Sequence, residues 1–380
     1  MSTTERMYFP MRELAPPFLM QLVVPGEGNI DPDALRTAVT TAAATTPGAR
    51  LRRHGAEWVD SEIAPAVRVV DHQLSYPALE TDPVLTSAIG PTPDATVEVL
   101  LLTGAPTTLI FRVFHGVMDG MGMVTWATNV LRALRGEDPV PHLDPIADQE
   151  LVAKIGAPGK PTPMVPRYRT AVGRGRQRRD RTPHLLRHRR IDAATPGALA
   201  RVCALLAAET PGTSRIMMPV DLRRHDPALR STANLALPLF LDIAPGRDWT
   251  AIKDQIKAGL LERRELNQLA NTKVALVPDP VSRGVLRTTN WLGARLGRNL
   301  ASATVSHMGR FTAEELAVPS FRPTGLFVLP QHSVAMPLLF GLTEFDGHTE
   351  LTVSARNGAG IEARLEALLD RIIDLLELSE

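Results

Sequence analysis

The sequence of 380 residues contains a single cysteine, Cys203. One thiol excludes an internal disulfide and a cysteine-rich zinc site. Cys203 lies in the largely apolar run of residues 200–206. We therefore predict that it is a small buried side chain rather than a nucleophile.

The sequence also lacks an excess of charge of either sign and any long apolar run. Its 42 Lys and Arg residues against 41 Asp and Glu residues give a net charge of +1, so no overall field attracts nucleic acid. The sequence contains no stretch of about 18 uncharged apolar residues, the length that a membrane-spanning helix needs. Glu5 and Arg6 lie where a secretory signal needs an apolar core. We expect no nucleic-acid partner, no membrane span and a cytoplasmic location.

Aromatic residues are scarce, at 4%, whereas proline is abundant, with 32 residues. This composition favours many short elements separated by turns over a helical bundle. A chain of this length is long for one compact core, which predicts two lobes or two domains.

Hydrophobic periodicity predicts helices and strands that mix without strict alternation, and hence an α+β fold. The predicted helices cover residues 31–44, 121–134, 196–208, 249–269 and 361–378. The predicted strands cover residues 18–24, 67–70, 96–102, 107–115, 215–220, 235–243, 327–329, 338–342 and 351–355, with a hairpin between Leu51 and Val59.

Residues 136–190 differ in composition from their surroundings. Prolines concentrate before residue 167, and ten arginines follow between Arg167 and Arg190. We predict an N-terminal lobe over 1–166, an Arg-rich linker over 167–190 and a C-terminal lobe over 191–380. His184 and His188 have the spacing of a metal-binding pair on a helix, but no third ligand is evident, so we predict no metal site.

The strand over residues 109–115 carries the first candidate for chemistry. Its period of two places Leu109, Phe111, Val113 and His115 on one face, so a histidine ends the strand on its apolar side. Such a histidine serves as a general base in a partly dry site, or it has only a structural role. The local pattern leaves both readings open.

The turn after this strand is short of side-chain bulk, because Gly116 and Gly120 flank it. Asp119 directly precedes the next helix and is either part of a catalytic turn or simply the helix N-cap. Backbone N–H groups of the turn, including that of Gly120, are candidates for holding an oxyanion.

The segment His115-Gly116-Val117-Met118-Asp119-Gly120 resembles the HxxxDG core of the chloramphenicol-acetyltransferase-like superfamily. That superfamily includes nonribosomal peptide condensation domains, polyketide-associated acyltransferases, wax-ester synthases and the plant BAHD enzymes. Four further segments resemble family segments in the same order along the chain: residues 31–60, 219–223, 234–239 and 305–309.

The resemblance implies a pseudo-dimer of two chloramphenicol-acetyltransferase-like α+β lobes, with His115 facing a tunnel at their junction. Donor and acceptor would enter this tunnel from opposite ends. The resemblance further implies that Asp119 pairs with Arg223 as a structural strut, with Arg224 as the alternative partner. Asn234 and Ser306 are supporting candidates, either as oxyanion donors near His115 or as turn residues.

Two departures from the family pattern stand out. Condensation domains usually carry a second histidine directly before the catalytic one, and Phe114 stands at that position here. On a strand its side chain should point away from His115, so activity is not excluded. The aromatic Asp-Phe-Gly-Trp-type motif of several branches has no clear match, since residues 345–347 fit a hairpin turn better.

The resemblance implies an acyltransferase that moves an acyl group from a coenzyme A or carrier-protein thioester to a hydroxyl or amine of a small acceptor. His115 would be the base for direct attack. One alternative is a stand-alone condensation enzyme that joins carrier-bound units. A second is a non-catalytic member that docks carrier proteins.

The sequence has no glycine-rich nucleotide loop for activating a free acid, so we expect a pre-activated donor and no permanently bound cofactor. The arginine run 167–190 either attracts coenzyme A phosphates or an acidic acyl or peptidyl carrier protein, or is a solvated linker.

Overall fold

A computed structural model describes residues 1–92, 94–177 and 182–378 of the chain. The α-helices are α1 (Thr3–Leu14), α2 (Pro32–Thr45), α3 (Pro83–Thr86), α4 (Gly120–Leu134), α5 (Asp148–Ile155), α6 (Ala198–Ala208), α7 (Trp249–Leu261), α8 (Asp279–Leu296), α9 (Ala313–Leu316) and α10 (Ile361–Glu377). The 3₁₀ helices are η1 (Pro47–Arg50), η2 (Tyr76–Thr81), η3 (Leu222–His225) and η4 (Arg264–Leu276).

The strands are β1 (Leu19–Gly28), β2 (Leu51–His54), β3 (Glu57–Asp60), β4 (Ala66–Val70), β5 (Val97–Leu102), β6 (Thr107–Phe114), β7 (His184–Ile191), β8 (Ser214–Asp221), β9 (Ala236–Ile243), β10 (Ala303–Phe311), β11 (Phe321–Pro323), β12 (Phe327–Leu329), β13 (Leu338–Phe345) and β14 (His348–Arg356).

The first six-stranded sheet has the order β11-β1-β6-β5-β4, and β12 also pairs with β1. Its central pair is antiparallel, with Leu22 opposite Phe111. Helices α2 and α4 cover one face, where the fully buried Trp126 packs among strand side chains such as Phe111 and Val99. Strands β11 and β12 belong to the C-terminal half of the chain, so two strands of the first sheet come from the second half of the sequence.

The second six-stranded sheet has the order β7-β14-β13-β10-β8-β9. Helices α6 and α10 pack on it, because α10 presents Leu365, Leu369 and Ile372 to the core at helical spacing. Edge strand β9 tolerates Pro238, which lies opposite Pro219 of β8, because an edge strand has one unpaired side. The predicted two-lobed α+β pseudo-dimer is confirmed. None of the described helices combines the length and apolarity needed to cross a bilayer.

The boundary of the predicted Arg-rich linker needs a correction. Residues 184–191 are strand β7, which pairs along its whole length with β14 of the second sheet. The arginines concealed the strand, but Leu185 and Ile191 are buried and Arg187 is sequestered by carboxylates. Residues 178–181 of the predicted linker lie outside the described residues.

Two helix predictions also change. The helix predicted over 249–269 ends at Leu261, because Arg263 adopts a left-handed φ of 53° and the chain continues as η4. Helix α1 was not predicted, since Pro10 interrupts its pattern. Its start does carry a signal, because Ser2 and Glu5 form a capping box.

Arg187 joins the two lobes through three carboxylates. Its guanidinium lies 3.0 Å from Glu80 of the first lobe, and 2.7 and 2.6 Å from Glu362 and Glu366 of α10. Replacing Arg187 with Met leaves the nearly buried Glu80 without a cation. We expect a loss of about 3 kcal/mol of unfolding free energy, at the lower end for a buried pair because the α10 carboxylates are partly exposed.

Arg190→Met is the matched control in the same strand. The Arg190 side chain is half exposed and pairs with the exposed Asp192, so its removal should change stability by less than about 0.5 kcal/mol. Urea unfolding of both variants checks the difference. Equal stability of the two variants would show that Arg187 does not clamp the lobes.

Candidate active site

His115 directly follows β6, whose ladder with β1 ends at the pair Leu19 and Phe114. The chain turns at this point, and the Val117 N–H donates to the Phe114 carbonyl at 3.0 Å. Gly116 is required in the turn, because a Cβ there would collide with the Phe114 ring. The strand end and the glycine together leave His115 partly exposed at the edge of the first lobe.

The imidazole of His115 is held by hydrogen bonds on its Nδ1 side. Nδ1 lies 3.2 Å from the Met118 carbonyl oxygen, which only accepts hydrogen bonds, so we assign the proton to Nδ1. The side-chain amide of Asn234 lies 3.3 Å from Nδ1 but donates to the His115 carbonyl oxygen at 2.6 Å. Nε2 has no hydrogen-bond partner among the described residues, and in the assigned tautomer it carries a lone pair.

Tyr8 of α1 covers one face of the imidazole. The two rings stack with centroids 4.3 Å apart and planes 14° from parallel. Burial raises the pKa of the Tyr8 hydroxyl, although a hydrogen bond with Asn234 opposes the rise. Burial also lowers the pKa of His115, and the charge of Asp119 opposes this. Both groups are therefore neutral at pH 7.

Asp119 is buried and accepts three hydrogen bonds. Oδ1 caps α4 by accepting from the Gly122 N–H at 2.7 Å. Oδ2 accepts from the Leu235 N–H at 2.7 Å and from Arg223 Nη1 at 2.9 Å. The carboxylate is thus both an N-cap and one half of an ion pair with the second lobe. The capping role is one of the two alternatives considered from the sequence, and the contact with Arg223 is the one that the family resemblance implied.

Arg223 uses its whole guanidinium in the same network. Nε donates to the Ser231 carbonyl at 2.8 Å, Nη2 to the Ala233 carbonyl at 2.7 Å, and Nη1 also to Asp221 at 2.7 Å. Burial acts to lower the pKa of Arg223, but the carboxylates of Asp119 and Asp221 outweigh it, and the net shift is upward. Arg223 therefore fixes the loop 231–235 that carries Asn234 against His115.

The remaining candidates lie at different distances from this network. Arg224 bonds Glu265 at 3.2 Å, so it is not the partner of Asp119. Gly120 begins α4, and a Cβ there would collide with the Met308 methyl group. Ser306 Oγ contacts the Met308 sulfur at 3.8 Å rather than the imidazole. Ser306 thus lies beside the site through Met308, without a hydrogen bond to His115 among the described residues.

The Phe114 side chain points away from His115, as alternation along a strand requires. It is buried against Phe9 and Trp58, with ring centroids 5.2 and 6.4 Å away, and the Arg12 guanidinium lies over its face.

Cys203 is fully buried in the second core, and burial raises its thiol pKa to about 12. That value fits a packing side chain rather than a nucleophile.

The two histidines of the arginine-rich segment lie on a strand rather than a helix. His188 bonds Glu350 at 2.5 Å and stacks on Phe327, with centroids 4.0 Å apart. His184 stacks on His332 at 4.8 Å. Within the described ranges, no three His, Cys, Asp or Glu side chains are arranged to hold a metal ion.

Sequence reasoning missed Tyr8, the Met118 carbonyl and the Leu235 N–H. Backbone partners have no residue-type signal, so the Met118 and Leu235 contacts were not accessible. The Ser2–Glu5 capping box would have revealed α1, but only the tertiary structure brings Tyr8 to His115.

Comparison with known proteins gives structural matches but no sequence matches. No protein-family model matches the chain, and none of the curated proteins does. The condensation domain of the monacolin K polyketide synthase MokA superposes with a TM-score of 0.66 at 14% identity, over 99% of this chain and 95% of that one. The chain has the condensation-domain fold.

Two further structures share this fold. A starter condensation domain of rhizomide synthetase RzmA, solved as a point mutant in complex with C8-CoA, matches with a TM-score of 0.63 at 16% identity, over 99% of this chain and 94% of that one. Polyketide synthase associated protein 5 from Mycobacterium tuberculosis matches with a TM-score of 0.64 at 16% identity, over 98% of this chain and 96% of that one.

Replacing Asp119 with Ala should cost about 3–5 kcal/mol of unfolding free energy. The buried Arg223 would lose one of its two carboxylate partners and keep only Asp221, and α4 would lose its N-cap. Thermal or urea unfolding measures the loss.

The control is Asp31→Ala, since Asp31 caps α2 through one exposed bond to the Asp33 N–H at 2.8 Å. Loss of that cap should cost about 1 kcal/mol. Similar losses in the two variants would mean that the cross-lobe contacts of Asp119 add nothing to its capping role.

Proposed function

We propose that the protein is an acyltransferase that moves an acyl group from a thioester to a hydroxyl or amine acceptor, with His115 as general base. The observation that carries the proposal is the contact between Nδ1 of His115 and the Met118 carbonyl oxygen. In the assigned tautomer Nδ1–H donates to this carbonyl, so the lone pair of Nε2 is available at neutral pH. A base needs this tautomer held in a fixed orientation.

In the proposed reaction, the acceptor oxygen or nitrogen attacks the thioester carbonyl while Nε2 takes its proton. Collapse of the tetrahedral intermediate breaks the carbon–sulfur bond, and the imidazolium returns a proton to the leaving thiolate. The N–H groups at the start of α4, including that of Gly120, are the proposed oxyanion donors. Ser306 is a secondary candidate that would act only if Met308 moves.

Asn234 is proposed as a positioning residue. Its Nδ2 donates to the His115 carbonyl, while its Oδ1 is buried with no hydrogen-bond partner in the part of the chain that the structure describes. An unpaired buried acceptor next to the base is suited to the O–H or N–H of an acceptor substrate. Asp119 and Arg223 act through Asn234 and the turn, and not on the reacting atoms.

The proposed donor is an acyl thioester of coenzyme A or of a carrier protein. The starter condensation domain of rhizomide synthetase, which shares this fold, was solved as a mutant in complex with C8-CoA. That complex supports a donor with a phosphopantetheine arm. The proposed partners are a carrier protein and a small acceptor. A condensation enzyme that joins carrier-bound units is the second candidate. Two of the solved structures with this fold are condensation domains, one from a polyketide synthase and one from a synthetase.

The arginine run 167–190 supports donor binding less than its charge alone suggests, because three of its arginines are already paired with carboxylates. Arg187 and Arg189 are engaged by Glu366, and Arg190 pairs with Asp192. Neutralising these three is expected to affect stability before donor KM. We propose the division into lobes at 1–166 and 184–380, with the Pro- and Arg-rich connection between them.

His115→Ala should lower turnover by about 100- to 10,000-fold, since that is the usual contribution of general base catalysis. The thermal midpoint should change little, because the imidazole is partly exposed. His142→Ala, in the loop after α4, is the control and should keep full turnover. Unchanged turnover of His115→Ala would remove the histidine from the mechanism.

The pH dependence follows from the lowered pKa of His115. A base whose pKa lies below the ordinary value of 6.5 keeps its lone pair to lower pH. kcat/KM should therefore fall as the pH is lowered, with a midpoint below pH 6.5. A fall with a midpoint at or above 6.5 would contradict the burial argument.

The donor is tested by incubating the protein with octanoyl-coenzyme A and a panel of alcohols and amines, without ATP. Mass spectrometry should detect the acylated acceptor together with free coenzyme A, and His115→Ala should suppress both. A requirement for ATP and free acid, or a stable acyl-enzyme formed with donor alone, would exclude direct transfer.

A further inference from the structure

A cavity of about 230 Å³ lies away from the HxxxDG turn, where the end of α1, the middle of α8 and the end of β14 meet. Leu14 and Ala15 of the first lobe form one wall. The polar lining consists of Gln177, Arg287, Asn290, His332 and Arg356. Two of these residues are arginines and none is acidic.

Arg356 is unusual among the buried arginines of the described residues. Arg112, Arg187 and Arg215 each lie within 3.0 Å of a carboxylate. Arg356 is only 7% exposed, and among the described residues its guanidinium bonds only the Asn299 amide oxygen, 3.0 Å from Nη1. Its Nε and Nη2 are buried and make no hydrogen bond within residues 1–92, 94–177 and 182–378. A buried cation normally requires a partner of opposite charge.

Nε and Nη2 form one edge of the guanidinium, and this edge can bond both oxygens of an anion at once. Arg215 shows this use in the same protein, because its Nε and Nη2 hold the two oxygens of Asp242 at 2.7 and 2.8 Å. The same pair of atoms on Arg356 has no such partner. This edge matches the spacing of two oxygens in a carboxylate or phosphate.

The surroundings of Arg356 do not neutralise it. Glu13, which precedes the lining residue Leu14, pairs with Arg283, and Glu80, whose charge acts on His184, pairs with Arg187. Burial lowers the pKa of Arg356 to about 10, which still leaves it charged at pH 7. Burial and the charge of Arg356 also keep the pKa of His332 well below its usual value, so that ring is neutral.

Other buried polar atoms at the cavity are also without protein partners. Asn290 Oδ1 lines it directly, and His184 Nδ1 belongs to the ring stacked on His332. The exposed Arg287 provides a second positive charge at the solvent side.

We propose that this cavity binds an anionic group, a carboxylate or a phosphate, in a bidentate contact with Nε and Nη2 of Arg356, with Arg287 at the entrance. The volume suits a small anion or the charged end of a larger ligand. The site is separate from the HxxxDG turn, and its binding can be measured without any catalytic activity.

Helix α1 connects the cavity to His115. Tyr8 lies on the imidazole and Leu14 lines the cavity, six residues and about 9 Å further along the helix axis.

The test uses isothermal titration calorimetry and thermal unfolding with inorganic phosphate and, separately, with acetate at constant ionic strength. We expect saturable binding of at least one of the two, which identifies the chemical source. Arg356→Met should weaken that binding by about tenfold or more, the usual effect of losing a charge-assisted contact. In anion-free buffer it should unfold no earlier than the wild type, because an unpaired buried charge has been removed.

Arg36→Met is the control, since Arg36 lies on the half-exposed surface of α2 and pairs with Asp33. It should bind anions like the wild type. Arg287→Gln, at an exposed position, should fold normally and weaken binding several-fold, which keeps the test valid if Arg356→Met does not fold. No saturable binding of either anion to the wild type, or equal binding by wild type, Arg356→Met and Arg287→Gln, would overturn the proposal.

Discussion

The carboxylate of Asp119 is the constraint on which the site depends. With one oxygen it ends the turn after His115 by capping α4, and with the other it holds Arg223 and the Leu235 N–H of the second lobe. Gly122 permits this closeness, because a Cβ there would collide with the Thr232 carbonyl. A single buried charge therefore sets both the local turn and the position of the opposite lobe.

The geometry of the base follows from that junction. Arg223 orders the loop 231–235 through its contacts with the main chain of that loop, and this loop brings Asn234 to the His115 carbonyl. The Met118 carbonyl then selects the Nδ1–H tautomer. Asp119, Arg223 and the loop 231–235 depend on one another for their hydrogen bonds, so replacing one partner leaves buried polar groups unpaired. The proposed catalytic role of His115 rests on this order rather than on the histidine alone.

Much of the fold was predictable because its signals are local. The nearly continuous apolar run of β6, the Asp31 N-cap of α2 and the apolar stripe of α10 each depend on neighbours in sequence. Strand β7 was missed because its arginines are matched by carboxylates distant in sequence, notably Glu80 and Glu366. Likewise, the pair of Asp119 and Arg223 came from a family resemblance, while the stacking of Tyr8 on His115 required the three-dimensional structure.

The most direct test of the central claim is the protonation of His115 itself. Nitrogen-15 NMR of histidine-labelled protein, with His115→Ala used to assign the signal, reports the tautomer and titration of the ring. The account predicts a neutral imidazole at pH 7 with the proton on Nδ1 and a pKa below 6.5. A proton on Nε2, or an imidazolium at pH 7, would contradict a base poised by the Met118 carbonyl.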